Sequence, residues 1–384
     1  MNNSRRTASF IFARWLVTRD YPAGLLPEGS ERAFIQDLVY TAIRRFRPLG
    51  SILRMLVKKW PKGEMEALLY IGAAQILYMP DVPDFAAANE TVEAAKECPN
   101  PSIAKTVNAV LRNLIRRREE FDAYLLNACV DERESMPSNL YRRWVKRFGA
   151  EDAQKLAQWH NEPSETFLAY PDGRYEKLER GKRVDNIDGF QRGEFIVQDP
   201  ATRLAVDLMN AQSGETVLDA CAAPGGKTIQ LAWRSAKVCA CEINPRRRKK
   251  LISNLDRTNL KDKVEVIGSF ENETRLFNKV LVDAPCSNTG VLRRKPDARW
   301  NWSEEKLNAL ISLQKEILDK ASRLVKPGGT LVYSTCSNEE EENGLQIADF
   351  LSQHKEFTLV ESRESLPFES GYDGAFAAAL KKAP

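Results

Sequence analysis

Through the first 130 residues, apolar positions recur every three or four residues. "ERAFIQDLVYTAIRRF" (31–46), "EMEALLYIGAAQILYM" (64–79) and "SIAKTVNAVLRNLIRRR" (102–118) each place an apolar stripe along one side of a helix. "RDYPAGLLPEGS", "WPKGE" and "MPDVPD" interrupt them. The pattern predicts helices of ordinary length separated by proline-rich breaks, as in a bundle. Ser102, just after Pro101, stands where it would cap the third helix. Between 131 and 195 the character changes. A helical stretch from Leu140 to His160 precedes "YPDGRYEKLERGKRVDNIDGFQRGE" (170–194), a polar, turn-rich segment with room for a few short strands.

From Gly214 onward, short apolar runs alternate with helical patterns. "ETVLDAC" (215–221), "KVCACEI" (237–243), "KVEVIG" (263–268), "KVLVDA" (279–284) and "GTLVYSTC" (329–336) read as strands. "KTIQLAW" opens a helix, "PRRRKKLISNLDRT" is a helix starting at Pro245, a favoured first-turn residue, and "SEEKLNALISLQKEILDKASRLV" is a long one. This is the βαβ rhythm of a doubly wound sheet. The predicted organisation is therefore multidomain. An all-α bundle spans 1–130, a small α+β linking module 131–195, and an α/β Rossmann-like domain 196–384. Such sheets bind ligands at the carboxyl ends of their strands. Asp219, Glu242, Gly268-Ser269, Asp283 and Cys336 all fall there.

Composition narrows the class. A chain of 384 residues with 43% hydrophobic content can build more than one core. No apolar stretch approaches 18 residues, so no membrane span is expected. The N-terminal apolar run, Phe10 to Val17, is broken by Arg14 and lacks a cleavage pattern, which argues against a signal peptide. Seven cysteines without paired spacing point to a reducing compartment, the cytoplasm. His160 and His354 are too few and too remote for a zinc site or a Cys-His dyad, so no metal is expected.

The net charge of +4 says little, but its distribution says more. Residues 1–150 carry 23 Lys and Arg against 17 Asp and Glu, while the remainder is slightly acidic. The clusters Arg44-Arg45-Phe46-Arg47, Arg116-Arg117-Arg118 and Arg142 to Arg147 suit either a phosphate backbone or a solvated helix face.

"DACAAPGGKT" (219–228) allows two nucleotide readings. Gly226-Lys227-Thr228 mimics the end of a P-loop, and "KVLVD" mimics a magnesium-binding strand. However, the first glycine a P-loop needs would fall on Cys221, and Pro224 stiffens the turn. The other reading is a glycine turn that lets the backbone approach a nucleoside cofactor. Glu242, about 20 residues on at the next strand end, suits the ribose hydroxyls. These features do not separate NAD from S-adenosylmethionine.

Cys286, in "DAPCSNTG", and Cys336, in "VYSTCS", follow two strands expected to be neighbours, beside Asp283. A single cysteine here reads equally well as a small core hydrophobe. Together the three groups fit methylation at carbon 5 of a pyrimidine. A thiolate adding to carbon 6 makes carbon 5 nucleophilic, an acid near nitrogen 3 stabilises the charge, and a base removes the carbon-5 proton. A free thiol titrates near about 8.5, so the nucleophile needs activation.

With these residues in view, the chain resembles the Sun (Fmu) family of bacterial RNA cytosine-C5 methyltransferases. "DACAAPGGKT", "DAPCSNTGVLRRKPDARW", "YSTCS" and "FIVQDPATRLA" carry the catalytic part of the resemblance. "ERAFIQDLVYTAIRR", "ANETVEAAK" and "VNAVLRNLIR" resemble the family's NusB-like RNA-binding domain. The resemblance implies that Cys336 attacks carbon 6, that Cys286 assists product release, and that Asp283 contacts the base close to the methyl donor. It implies S-adenosylmethionine on Cys221, Ala222, Ala223, Pro224, Gly225, Gly226 and Lys227, with Glu242 on the ribose and Ser269 near the adenine. DNA enzymes of related chemistry attack from the Pro-Cys motif, and Thr335-Cys336 favours RNA. The implied partner is small-subunit ribosomal RNA, with transfer RNA as an alternative target, no DNA, and a monomeric enzyme.

Three departures stand out. Ser269 replaces the family's aspartate, "ETFLAYPDGRYE" replaces an Arg-Val-Asn segment, and "GYDGAFAAAL" lacks one aromatic. The first two motivate a rival reading, an RNA-binding scaffold with a decayed cofactor pocket.

Overall fold

The computed structural model describes residues 3–234 and 236–384. They form two compact units, one of residues up to 162 together with 292–302, the other of 163–291 together with 303–384. No described helix is long and apolar enough to cross a membrane.

The first unit is helical. Helix Glu64–Tyr78 is buried continuously from Ala67 to Ile76, as expected for a helix apolar all round. Helices Ser4–Thr18, Arg32–Arg44, Phe46–Leu56, Asp84–Lys96 and Ile103–Arg116 surround it. Gly72 permits the closest approach, because a Cβ there would stand 2.7 Å from Leu111 Cδ1 and 3.2 Å from Thr91 Cγ2. Phe12, Trp15, Phe46 and Tyr70 fill the other side. Phe46 stacks on Tyr70 with ring centres 5.0 Å apart, and Phe12 lies 5.3 Å from Trp15. Each such side chain taken from water contributes about 1.5–3 kcal/mol.

Two local expectations need correction. Ser102 does not cap its helix. It lies in helical conformation, and its hydroxyl donates to Asn100 Oδ1 at 2.6 Å. Asn100 takes the turn-forming role instead, accepting from the Ser102 backbone N–H at 3.2 Å. The stretch from Leu140 to His160 is two helices, Ser138–Phe148 and Ala150–Trp159. Gly149, at φ +82°, adopts a backbone that a continuous helix cannot hold.

The first arginine cluster is structural rather than a phosphate track. Arg44 is buried and donates to the Arg293 carbonyl at 3.2 Å. Arg45 pairs with Glu134 at 3.7 Å and Arg47 with Asp131 at 3.0 Å. The second cluster is also engaged: Arg117 pairs with Glu120 at 2.6 Å and Arg118 with Asp84 at 2.9 Å. Residues 292–302 are anchored by Arg299, which is fully buried. Its guanidinium donates to the carbonyls of Ser135 (3.2 Å) and His160 (2.8 Å) and to Asn161 Oδ1 (2.9 Å). Trp300 Nε1 donates to the Ile43 carbonyl at 2.9 Å.

The described residues of the second unit form ten strands. β1 (Phe167–Ala169), β2 (Tyr175–Lys177) and β3 (Ile196–Val197) make a small antiparallel sheet in the order β2-β1-β3. β4 (Thr216–Asp219), β5 (Lys237–Cys241), β6 (Val264–Ile267), β7 (Phe277–Asp283), β8 (Val325–Thr335), β9 (Phe357–Ser365) and β10 (Ala375–Lys382) form a sheet in the order β6-β5-β4-β7-β8-β10-β9. The first five are parallel, and β10 runs antiparallel to both its neighbours. The strand period of two divides the core. Val217, Leu281 and Val332 face helices Arg203–Met209, Gly226–Trp233 and Pro245–Arg257. Leu218, Val280, Val282, Leu331 and Tyr333 face helices Glu304–Ser322 and Gly344–Gln353. The helix from Pro245 begins as expected, with Asn244 Oδ1 accepting from the Arg246 and Arg247 N–H groups.

Candidate active site

β4, β5, β7 and β8 all end on one edge of the sheet, and their register sets the site. Asp219 is paired with Leu281, and Asp283 with Ser334. The loop after β4 turns sharply through the cis Ala223–Pro224 bond and Gly225 at φ +109°. A Cβ on Gly226 would lie 2.4 Å from Gln198 Oε1. The helix Pro245–Arg257 holds this loop from outside. Arg247 donates to the Ala223 carbonyl at 2.7 Å and Asn254 to the Pro224 carbonyl at 2.9 Å. Cys221 lies in the loop, and burial pushes its thiol upward.

Asp219 is buried and accepts from the Thr228 hydroxyl at 2.7 Å. Burial dominates its environment and raises the carboxyl to about 6. Glu242, at the end of β5, is also buried. It accepts from the Asn244 N–H at 2.8 Å and lies 3.4 Å from the Arg247 guanidinium. Ser269, beyond β6, is exposed, and its hydroxyl accepts from the Glu271 N–H at 3.2 Å.

The thiol side of the edge is denser. Cys286 Sγ and Cys336 Sγ are 3.4 Å apart. Asn288 bridges their loops: its amide donates to the Cys286 carbonyl at 2.8 Å, and its Oδ1 accepts from the Cys336 thiol at 3.5 Å. Asp283 accepts from Lys227 Nζ and from the Ser334 hydroxyl, each at 2.7 Å. Burial alone would depress the Lys227 ammonium, but Asp283 outweighs it and the group is raised. Thr202, Lys227, Cys336, Asp373 and Phe376 line one narrow recess. Gly290 meets Gly374 backbone to backbone, with its N–H on the Cys336 carbonyl at 3.0 Å.

The structure thus gathers the expected residues into two adjoining groups. Cys221 to Gly226, Glu242 and Ser269 lie at the ends of β4 to β6. Asp283, Cys286 and Cys336 lie at the ends of β7 and β8, with Lys227 reaching into them. Sequence reasoning missed Ser334, Asn288, Gln314 and Glu342. Ser334 was recoverable as the neighbour of a strand-end cysteine. Glu342 was not, because it sits in "NEEEENG", an acidic run that reads as solvated.

Comparison with known proteins agrees in outline. Residues 206–381 match the family described as 16S rRNA methyltransferase RsmB/F, and residues 2–116 match the NusB family. A ribosomal RNA small subunit methyltransferase B from Vibrio cholerae serotype O1 is 33% identical, covering 92% of this chain and 90% of its own. One of the same name from Yersinia pestis is 33% identical over 99% of both chains. Among solved structures, that of PH0851 superposes with a TM-score of 0.79 at 22% identity, covering 99% of this chain and 98% of its own. That of NSun6 from Pyrococcus horikoshii with SFG gives 0.58 at 17%, covering 65% of this chain and 99% of its own. Identity of this degree over more than nine-tenths of its length places the chain in the RsmB/F family of 16S rRNA methyltransferases.

Proposed function

We propose that the protein transfers a methyl group from S-adenosylmethionine to carbon 5 of a cytosine in small-subunit ribosomal RNA, through a covalent bond between Cys336 and carbon 6. The observation that carries this reading is the pair of thiols 3.4 Å apart beside the Lys227–Asp283 ion pair. A nucleoside cofactor suits the other group of residues. Gly225 and Gly226 turn the chain at the end of β4, Gln198 Oε1 lies buried beside Gly226 without a donor among the described residues, and Glu242 offers a buried carboxylate at the next strand end. Cys221 to Gly226 would hold the cofactor's nucleoside, with Glu242 on the ribose and Ser269 at the adenine edge. S-adenosylmethionine supplies an electrophilic methyl on a sulfonium.

The chain's own residues do the rest. The Cys336 thiolate bonds to carbon 6, and the electron pair of the 5,6 double bond becomes available at carbon 5. Asp283, steadied by Lys227 and Ser334, contacts the base. Once carbon 5 carries its methyl, loss of the carbon-5 proton to a base restores the double bond and expels the Cys336 thiolate. Cys286, in contact with Cys336, is the group assigned to that release. The target base must leave its stack to reach a recess this narrow.

RNA contact is assigned to the helical segment 1–130, with 131–195 helping to position the strand. Lys58, Lys59 and Lys105 support this, because they line one cleft of about 440 Å³ and form no ion pair among the described residues. A reducing cytoplasm and a monomer complete the reading.

The test is transfer of labelled methyl into unmodified small-subunit ribosomal RNA, with digestion to nucleosides. Label in 5-methylcytidine is the expected result. Label at another position, or none despite RNA binding, would reject it, the latter in favour of the scaffold.

A further inference from the structure

Two identical side chains in contact do not by themselves decide which one attacks. We propose that Glu342 is the positioning residue that divides the labour between the two thiols, by clamping the residue after each cysteine to one buried carboxylate. The proposal rests on the reading of Cys336 and Cys286 given above.

Glu342 has no exposed surface. Its Oε1 accepts from the Ser287 N–H at 2.9 Å and from Gln314 Nε2 at 2.8 Å. Its Oε2 accepts from the hydroxyls of Ser287 and Ser337. Ser287 follows Cys286, and Ser337 follows Cys336. Gln314 also donates to the Pro285 carbonyl at 2.9 Å, and Tyr333 donates its hydroxyl to the Glu342 carbonyl at 2.8 Å. Both thiol loops therefore share one anchor.

Every donor to this carboxylate is neutral, and no Lys or Arg pairs with it among the described residues. Its charge is left for its neighbours to feel. The groups facing Cys286 are Cys336 from the adjacent strand end, Glu342 from the turn Glu340–Glu342, and Tyr333 from β8. Cys336 and Glu342 favour a protonated Cys286, against the Asn288 N–H, which favours its thiolate. The hydrogen bond with Cys336, then burial, then the charges of Cys336 and Glu342 push its thiol well up. Cys336 instead shares its recess with Asp373 and with the Lys227 ammonium, which is paired to Asp283. Geometry thus fixes the spacing, and the buried Glu342 charge, which reaches Cys286, makes the pair unequal.

The experiment follows alkylation of Cys286 and Cys336 in the full-length protein from pH 6 to 10, reading each cysteine by peptide mass spectrometry. In Glu342→Gln, Cys286 should react at least tenfold faster at pH 8, with its midpoint moved down and that of Cys336 moved less. A folded Glu342→Gln with the wild-type Cys286 profile would overturn the proposal. Glu342→Asp keeps the charge and withdraws the oxygens by one methylene. Its Cys286 midpoint should hold, while the rate of diamide-induced Cys286–Cys336 cross-linking changes at least fivefold. An unchanged cross-linking rate would also overturn the proposal, and this arm decides if Glu342→Gln does not fold. Neither readout needs RNA, so absence of methyl transfer would reject the proposed function without touching this result.

Discussion

Lys227 Nζ lies 2.7 Å from Asp283 Oδ2, tying the first turn of the helix after β4 to the end of β7. The lysine that resembles a phosphate-binding residue in sequence thus reaches the thiol side of the edge. Lys227→Met should lower kcat by about 100- to 1,000-fold, the scale for losing one preorganised charge at a reacting centre. Cofactor affinity, measured by calorimetry, should fall much less. A change confined to cofactor affinity would move Lys227 back to the nucleoside.

The thiol pair predicts two distinct failures. Cys336→Ala should abolish methyl transfer and form no adduct. Cys286→Ala should accumulate an RNA–protein species stable on a denaturing gel, because bond formation survives while release is impaired. Adducts from Cys336→Ala instead would exchange the two roles.

Asp219 makes a prediction about pH. Its carboxyl is raised from an ordinary 3.8 to about 6 by burial. Between those values the folded protein holds a proton that the unfolded chain releases. Stability linked to this group is therefore full below about pH 4 and lost as pH rises through 6. The loss by pH 7 is about 3 kcal/mol. Asp219→Asn, which can still accept from Thr228, should raise Tm at pH 7 and leave it nearly unchanged at pH 4. Melting curves at the two pH values check this.

Gly290 is required by close approach. A Cβ there would meet the Gly374 carbonyl oxygen at 2.6 Å and its Cα at 2.8 Å. Backbone cannot swing aside as a side chain would, so Gly290→Ala must displace the loop whose N–H holds the Cys336 carbonyl. We expect destabilisation of about 1–3 kcal/mol and a fall in kcat of at least tenfold, with cofactor binding intact. Denaturant melts and single-turnover assays give both numbers.

Much of this arrangement is legible in the residues, because parallel strands buried on both faces are apolar and short, and their ends carry the polar residues. "KVLVDAPC" and "LVYSTC" announce both their burial and the exit of the chain. Other parts are hidden for physical reasons. β10, "AFAAALKK", has helix-favouring alanines and becomes a strand because its backbone pairs with β8 on one side and β9 on the other. Glu342 and the arginines at 44–47 carry charges that local pattern assigns to solvent. Their burial depends on donors and acceptors brought from distant parts of the chain.

The excursion of residues 292–302 has a consequence for how such a protein can be divided. Trp300 and Arg299 are packed among helices that precede residue 163, yet the chain enters that segment directly from the Cys286 loop. A protein begun at residue 163 would carry those side chains without their burial site, in the middle of its catalytic sequence. Recombination that swaps the helical part for another would have to rewrite this internal stretch as well. The two units are therefore interleaved along the sequence, joined at more than one place rather than at a single boundary.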